Sequence, residues 1–170
     1  MEQGKPVRQS RTTMTEIVLP NDANTYGNIL GGRVLHLIDL AGAMAAYRHC
    51  RLPVVTASVD SVDFLHPIKV GQLVLLESVV TRTFSTSMEV QVEVCSEDPF
   101  SGKRLKTSTA FLTFVCLDEK GKPTAVPPLT PETAEEKTRY RQALQRRRRR
   151  LKAARNARHP DPREGATTRI

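Results

Sequence analysis

The tightest constraint on the fold lies in the stretch where Val34, Leu35, Ile38, Ala41, Gly42 and Ala45 recur at the spacing of a single helix face. The pattern predicts a helix over about residues 32–49. Its composition is rich in Ala and Gly and poor in charge, which suits a helix enclosed by other elements rather than one lying on a surface. Something must do the enclosing. After Pro53 the chain turns to runs rich in β-branched residues: VVTASVDSVDF, QLVLLESVVTRTF, SMEVQVEVCSE and LKTSTAFLTFVCLD. Gly71, residues 85–87 and residues 99–102 punctuate them, and connections this short are too brief for parallel crossovers. The prediction is therefore an α+β layout with antiparallel pairing. Residues 11–19 alternate loosely and suit a leading strand, which Pro20, Asn21 and Asp22 end with turn chemistry.

With 170 residues the chain suits one domain able to bury its own core. A second helical pattern begins at Pro131, with Thr130 as expected N-cap and Glu132, Glu135 and Glu136 near the positive end of its dipole. The expected organisation is a flexible lead over 1–10, a domain over 11–130, a basic helix over 131–158 and a disordered tail over 159–170. The formal charge of +8 is unevenly held: 13 Lys and Arg against 5 Asp and Glu from residue 131 onward, and 13 against 13 before it. A neutral body with a basic tail argues against a basic domain face as the main functional surface. Cys50, Cys95 and Cys116 are odd in number and widely spaced, so neither a disulfide framework nor a zinc site is expected. They read as small core residues in a reducing compartment. With no long apolar run and no hydrophobic leader, the expected location is the cytoplasm, with no membrane partner.

The stretch PNDANTYGNILGGRVLHLIDLAGAMAAYRHC resembles the acyl-CoA thioesterases of the hot dog superfamily, and TASVDSVDFLHPIKVG and VTRTFSTSMEVQVEV extend the resemblance in order and spacing over roughly residues 10–150. The resemblance implies a hot dog fold, an antiparallel sheet wrapped around a long central helix. It also implies acyl-CoA hydrolysis to a free fatty acid and CoA.

Asp39 sits inside LHLIDLAGAMAA, where little could solvate or neutralise its carboxylate. Burial there would disfavour the charged form and suit a general base, and direct attack by the carboxylate to form a mixed anhydride is the open alternative. The residues alone leave open an ion pair with His36 one turn earlier, or partial exposure on a polar stripe. The resemblance favours the catalytic reading, because the family's catalytic acid stands eight residues after the first Gly of the pair. Gly31 and Gly32 open the helix, where unpaired amides and the dipole could stabilise an oxyanion. A tight opening turn is the plainer explanation of a Gly-Gly pair. Gly31 and Asp39 are eight residues, or about 12 Å, apart along a helix. One water cannot bridge that gap, so base and oxyanion donors for one substrate are expected from different subunits, and a homodimer becomes the minimum active unit.

By resemblance Asn24 is functional, its amide suited to hold the attacking water or to contact the thioester, with the water the expected role; Asp22 reads as structural. Local Asx-turn bonding is the alternative for both. Leu30 stands where several more distant hot dog thioesterases carry a His, a departure that weakens the case for a second polar catalyst there. The resemblance further implies CoA contacts at Ala57, Ser58 and Val59, at Thr86, Ser87 and Met88, and at a basic residue of the second helix that aligns best with Arg148. Cationic side chains there could meet the phosphates of CoA, although five consecutive arginines blur the register. CoA enters as part of the substrate and product; no metal or redox cofactor is expected. The family implies a trimer of dimers. Two rivals remain: a module that binds or senses acyl-CoA without turnover, and a nucleic-acid-associated protein acting through QRRRRRLKAARNAR. Nucleic acid is not the expected partner, since the tail lacks interleaved aromatics.

Overall fold

The computed structural model describes residues 4–60 and 62–158 of the chain. The tail expected to be disordered over 159–170 lies outside the described residues. Strand β1 is Lys5–Pro6, β2 is Thr12–Ile17, helix α1 is Gly31–Cys50 and β3 is Val54–Val59. There follow β4 (Leu73–Thr83), β5 (Ser87–Glu97), β6 (Arg104–Cys116), β7 (Leu129–Thr130) and helix α2 (Ala134–Arg158).

Five strands form one antiparallel sheet in the order β2-β4-β5-β6-β3. Even-numbered residues of β5 and, from Ser108 onward, of β6, among them Val90, Val92, Leu112 and Phe114, are buried together with Leu37, Ile38, Ala41 and Ala45 of α1. The sheet thus wraps α1, the hot dog arrangement implied by the resemblance. Small residues on α1 let it seat deeply. A Cβ on Gly42 would lie 3.0 Å from the ring of Phe114, so only glycine permits this approach of helix to sheet. The helix stops at Arg51, in the left-handed region at φ 58°, whose N–H donates to the Tyr47 carbonyl at 2.9 Å, and Pro53 follows.

Three expectations are corrected. Residues 4–10 are fastened rather than flexible: Val7 and Ser10 are buried, and the Ser10 hydroxyl donates to the Val7 carbonyl (2.7 Å) and accepts the Val80 N–H (3.0 Å). Lys5–Pro6 also pairs in parallel with Leu129–Thr130. That pairing occupies Thr130, so α2 is capped at Thr133 instead. The Thr133 hydroxyl accepts the Glu136 N–H at 3.1 Å while the Glu136 carboxylate accepts the Thr133 N–H at 3.0 Å, a reciprocal capping box. The third difference is β3, expected to run on to Phe64. It ends at Val59, level with Leu112, and the following segment touches β6 through separate bonds from the Asp60 N–H to the Phe111 carbonyl and from the Leu65 N–H to the Thr107 carbonyl, each 2.9 Å.

Strands β4 and β5 are buried on both faces, by α1 on one side and α2 on the other. Edge strand β3 has no second neighbour among the described residues. Beside that edge, Leu35, Leu40, Met44 and Tyr47 of α1 and Val55 and Val59 of β3 are exposed. Of the cysteines, Cys50 and Cys116 are buried and Cys95 is half-buried; all three are free thiols. No described helix is long and apolar enough to cross a membrane.

Candidate active site

The loop before α1 is stapled by its own polar side chains. The Asn24 carboxamide oxygen accepts the Tyr26 N–H (2.9 Å) and the Asn28 N–H (3.2 Å), an Asx-type turn continued by Gly27 at φ +74°. With its oxygen so occupied, Asn24 retains its two amide hydrogens as donors. The Asp22 carbonyl accepts the Leu30 N–H at 2.9 Å and its carboxylate lies 3.3 Å from Arg33, the structural role expected of it. Two further bonds, from the Ile29 N–H to the Ile68 carbonyl (2.8 Å) and from the Val70 N–H to the Gly27 carbonyl (3.0 Å), clamp the loop against the segment before β4.

These constraints set Asn24 and Gly31 on the wall of one cavity of about 380 Å³, shared with Asn28, Phe64, His66 and Thr107. Gly31 and Gly32 are exposed and stand in the first turn of α1, where backbone amides have no acceptor within the helix. A Cβ on Gly31 would meet the Phe64 ring at 3.7 Å, so the glycine keeps the cavity wall open beside those amides.

Asp39 lies two turns further on. It is half-buried rather than buried, because α1 faces the open side of the chain here. Its carboxylate accepts a hydrogen bond of 2.7 Å from the Thr56 hydroxyl on β3, and this contact takes the place of the ion pair with His36. The structure therefore brings Asn24 and Gly31 together and sets Asp39 apart from them, beside the exposed apolar strip and the unpaired edge of β3.

Of the other expected contacts, Ala57, Ser58 and Val59 lie on that edge, and a register shift between Thr56 and Ser58 leaves Ala57 as the unpaired extra residue. Thr86 ends the turn between β4 and β5, and Ser87 opens β5 level with Val115, which pairs in turn with Val55. Met88 is wholly buried in the core, so only its backbone could meet a ligand, and that backbone pairs with Thr83 and Phe114.

The five arginines separate sharply. Arg146 makes a bidentate pair with Glu89 (2.7 and 3.0 Å), Arg147 stacks on Phe84 at 3.9 Å and Arg150 reaches Asp60 at 3.4 Å. Arg148 and Arg149 are exposed, and Arg149 lines a second cavity of about 530 Å³ with Asp60, Asp63 and Phe111.

Comparison with known proteins places this geometry in a family. Residues 26–101 match the sequence model of the thioesterase superfamily. An uncharacterized acyl-CoA thioester hydrolase of Bacillus subtilis is 45% identical over 139 residues, 82% of this chain and 81% of that protein. The chain belongs to the thioesterase superfamily. It is a thioester hydrolase. The thioesterase is also 38% identical to the cytosolic acyl coenzyme A thioester hydrolase of Rattus norvegicus over 137 residues, 79% of this chain, but spans only 36% of that longer protein.

Among solved structures, the acyl-CoA hydrolase of Bacillus cereus superposes with a TM-score of 0.87 at 40% identity, covering 92% of this chain and 95% of that one. A hexameric acyl-CoA thioesterase gives 0.86 at 48% identity, covering 89% and 97%. The acyl-CoA hydrolase of Staphylococcus aureus, in complex with butyryl-CoA, CoA and CoA disulfide, gives 0.82 at 36% identity, covering 91% and 97%. That enzyme has also been solved with alanine in place of an asparagine, an aspartate and a threonine, at successive intervals of 15 and 17 positions.

Sequence reasoning missed Thr56, Phe64, His66 and Glu89 in this thioesterase. Thr56 and Glu89 look like ordinary strand residues until the sheet register sets one beside α1 and the other beneath α2. A glutamate amid the alternating apolar residues of SMEVQVEV was the one available signal, since its face is buried too.

Proposed function

We propose that the thioesterase hydrolyses acyl-CoA to a carboxylic acid and CoA at a site completed by two subunits. The observation that carries this reading is the division of the machinery: Asn24 and Gly31 share one cavity wall, whereas Asp39 and Thr56 lie about 12 Å along α1 at an exposed apolar edge. A second copy laid against β3 and the exposed face of α1 would cover that edge and bring its own Asn24 and Gly31 toward Asp39. The names of the related acyl-CoA hydrolases, and the CoA ligands of one of them, support the substrate. Asn24, Asp39 and Thr56 are spaced 15 and 17 residues apart, the intervals of the three substitutions in the Staphylococcus aureus enzyme.

In this mechanism the amides of Gly31 and Gly32 receive the thioester oxygen as it gains charge. Asn24, left with donors only, suits the same carbonyl better than a water that must present its own lone pair to carbon. Asp39 of the partner chain takes a proton from water as it attacks, and Thr56 holds that carboxylate in one orientation. The tetrahedral intermediate collapses by expelling the CoA thiolate, which is protonated to the free thiol. No metal or redox cofactor enters these steps. The edge of β3 and the hairpin at Thr86 and Ser87 would receive the pantetheine arm, and Arg148 with its neighbour Arg149 the phosphates. The hexamers known among related structures support a trimer of dimers. Three free thiols are in keeping with a cytoplasmic location.

The test is complementation. Asp39→Asn and Gly31→Val proteins, each inactive in thiol release from acyl-CoA, should regain part of the wild-type rate when mixed under conditions of subunit exchange. Inactive mixtures despite proven exchange would place each site within one chain, and wild-type protein that binds acyl-CoA without releasing thiol would be a sensing module.

A further inference from the structure

Five identical side chains cannot choose their own register. Sliding α2 by one residue would rotate it by about 100° and advance it by about 1.5 Å, and each arginine would take its neighbour's place. Several contacts of the run tolerate such a slip. The pair between Arg150 and Asp60 is long at 3.4 Å, and the stacking of Arg147 on Phe84 asks only for a guanidinium above a ring. Contact with Glu89 is different in kind.

Glu89 stands on the α2 face of central strand β5 and is only 1% exposed. Three hydrogen bonds hold its carboxylate: two from Arg146, at 2.7 and 3.0 Å, and one of 2.6 Å from the hydroxyl of Thr81. Thr81 reaches it because a register shift between Val80 and Arg82 leaves Thr81 as the extra residue of β4. The ring of Phe111, 3.7 Å from the Arg146 guanidinium, closes the socket. A buried ion pair is a weak source of net stability, since both charges lose water, but a buried carboxylate without its partner is strongly disfavoured. Such a socket accepts one planar fork in one place.

We infer that Glu89 is a positioning residue: by taking Arg146 out of the run of five it holds the arginine turns of α2 in the register that buried Ala143 and the Arg82 bond to the Tyr140 carbonyl begin, and so presents Arg148 and Arg149 to the phosphates of the CoA substrate. This rests on the acyl-CoA reading above. Glu89 touches no substrate in this account; it acts through Arg146. With Arg146 seated, Arg147 turns to Phe84 and Arg150 to Asp60, and the two arginines between them are left exposed.

The experiment compares two thioesters with the same reacting bond, acetyl-CoA and acetyl-pantetheine, the second lacking the nucleotide and its phosphates. Glu89→Gln and Arg146→Gln should each raise KM for acetyl-CoA about fivefold or more, leave its kcat within about twofold, and leave KM for acetyl-pantetheine unchanged. The double variant should be no worse than either single one, because both break the same contact. Arg146→Lys, which keeps the charge without the fork, should fall between wild type and Arg146→Gln. Arg146→Gln should also lower the melting temperature, since it leaves the Glu89 carboxylate buried without its partner; a purely structural role would shift KM for both substrates alike, and that result, or an unchanged KM for acetyl-CoA, overturns the inference. Should Glu89→Gln not fold, Arg146→Gln reads the same contact from the side of the helix. Wild-type protein that neither hydrolyses nor binds acetyl-CoA would instead bring down the function reading, and this inference with it.

Discussion

The two helices of this thioesterase are held by opposite physics. Helix α1 is seated by shape: Ala41, Gly42, Ala45 and Ala46 bring its backbone close to a sheet of buried Val, Leu and Phe side chains. Helix α2 buries Ala143 and packs Tyr140 against the core, but is otherwise seated by charge and stacking, with Arg82 over Tyr140, Arg146 on Glu89 and Phe111, and Arg147 over Phe84. Packing of the first kind is insensitive to salt and intolerant of volume, whereas contacts of the second kind tolerate volume and respond to ionic strength. The proposed chemistry follows the same division. Reacting groups sit on the rigid helix, and the groups proposed to hold the remote end of the substrate sit on the charged one.

The contrast is sharpest at Gly42. Gly42→Val should cost about 1–3 kcal/mol of stability, read as a lower melting temperature, because the fully buried ring of Phe114 cannot retreat from the added atoms. A neutral outcome would mean that α1 is seated more loosely than its contacts imply.

Thr56→Val keeps the shape of the residue and removes the hydroxyl that orients Asp39. About a tenfold fall in kcat is expected, with KM for acyl-CoA and melting temperature near wild type. Unchanged kcat would show that Asp39 needs no such support.

At the far end of α1, burial and the nearby Lys5 ammonium push the His49 imidazole below its usual value, against the hydrogen bond between its Nε2 and the Pro127 carbonyl. The folded state therefore binds this proton less readily than the unfolded chain does. Stability from this source is complete above the ordinary histidine value near pH 6.5 and is lost as pH falls from there toward the lowered folded value. Melting temperatures measured between pH 7.5 and 5 should decline less steeply in His49→Gln than in wild type. Equal slopes would assign the acid sensitivity to other groups.

The smallest effect belongs to α2. Arg148→Gln should alter stability by no more than about 0.5 kcal/mol, because the side chain is exposed. Its KM for acyl-CoA should rise by about fivefold or less, and the rise should shrink with added salt. A salt-independent change would break the distinction between the two helices.

Local pattern identified α1 within a residue or so at each end and five of the strands, β2 to β6, because a helix of small residues and runs of β-branched ones leave little else for the chain to form. Resemblance singled out Asn24, Gly31, Gly32 and Asp39 as a group worth placing. Tertiary structure decided what each of them meets. Thr56 gained its partner only when β3 paired with β6, and Asn24 showed its carboxamide oxygen already committed to its own turn. The arginine run shows the limit most clearly: five equal residues carry no information about which one is buried. A glutamate brought up from β5, some 57 positions earlier in the chain, makes that choice. Local patterns report only what a residue's near neighbours impose, and a carboxylate buried beneath a distant helix is not among them.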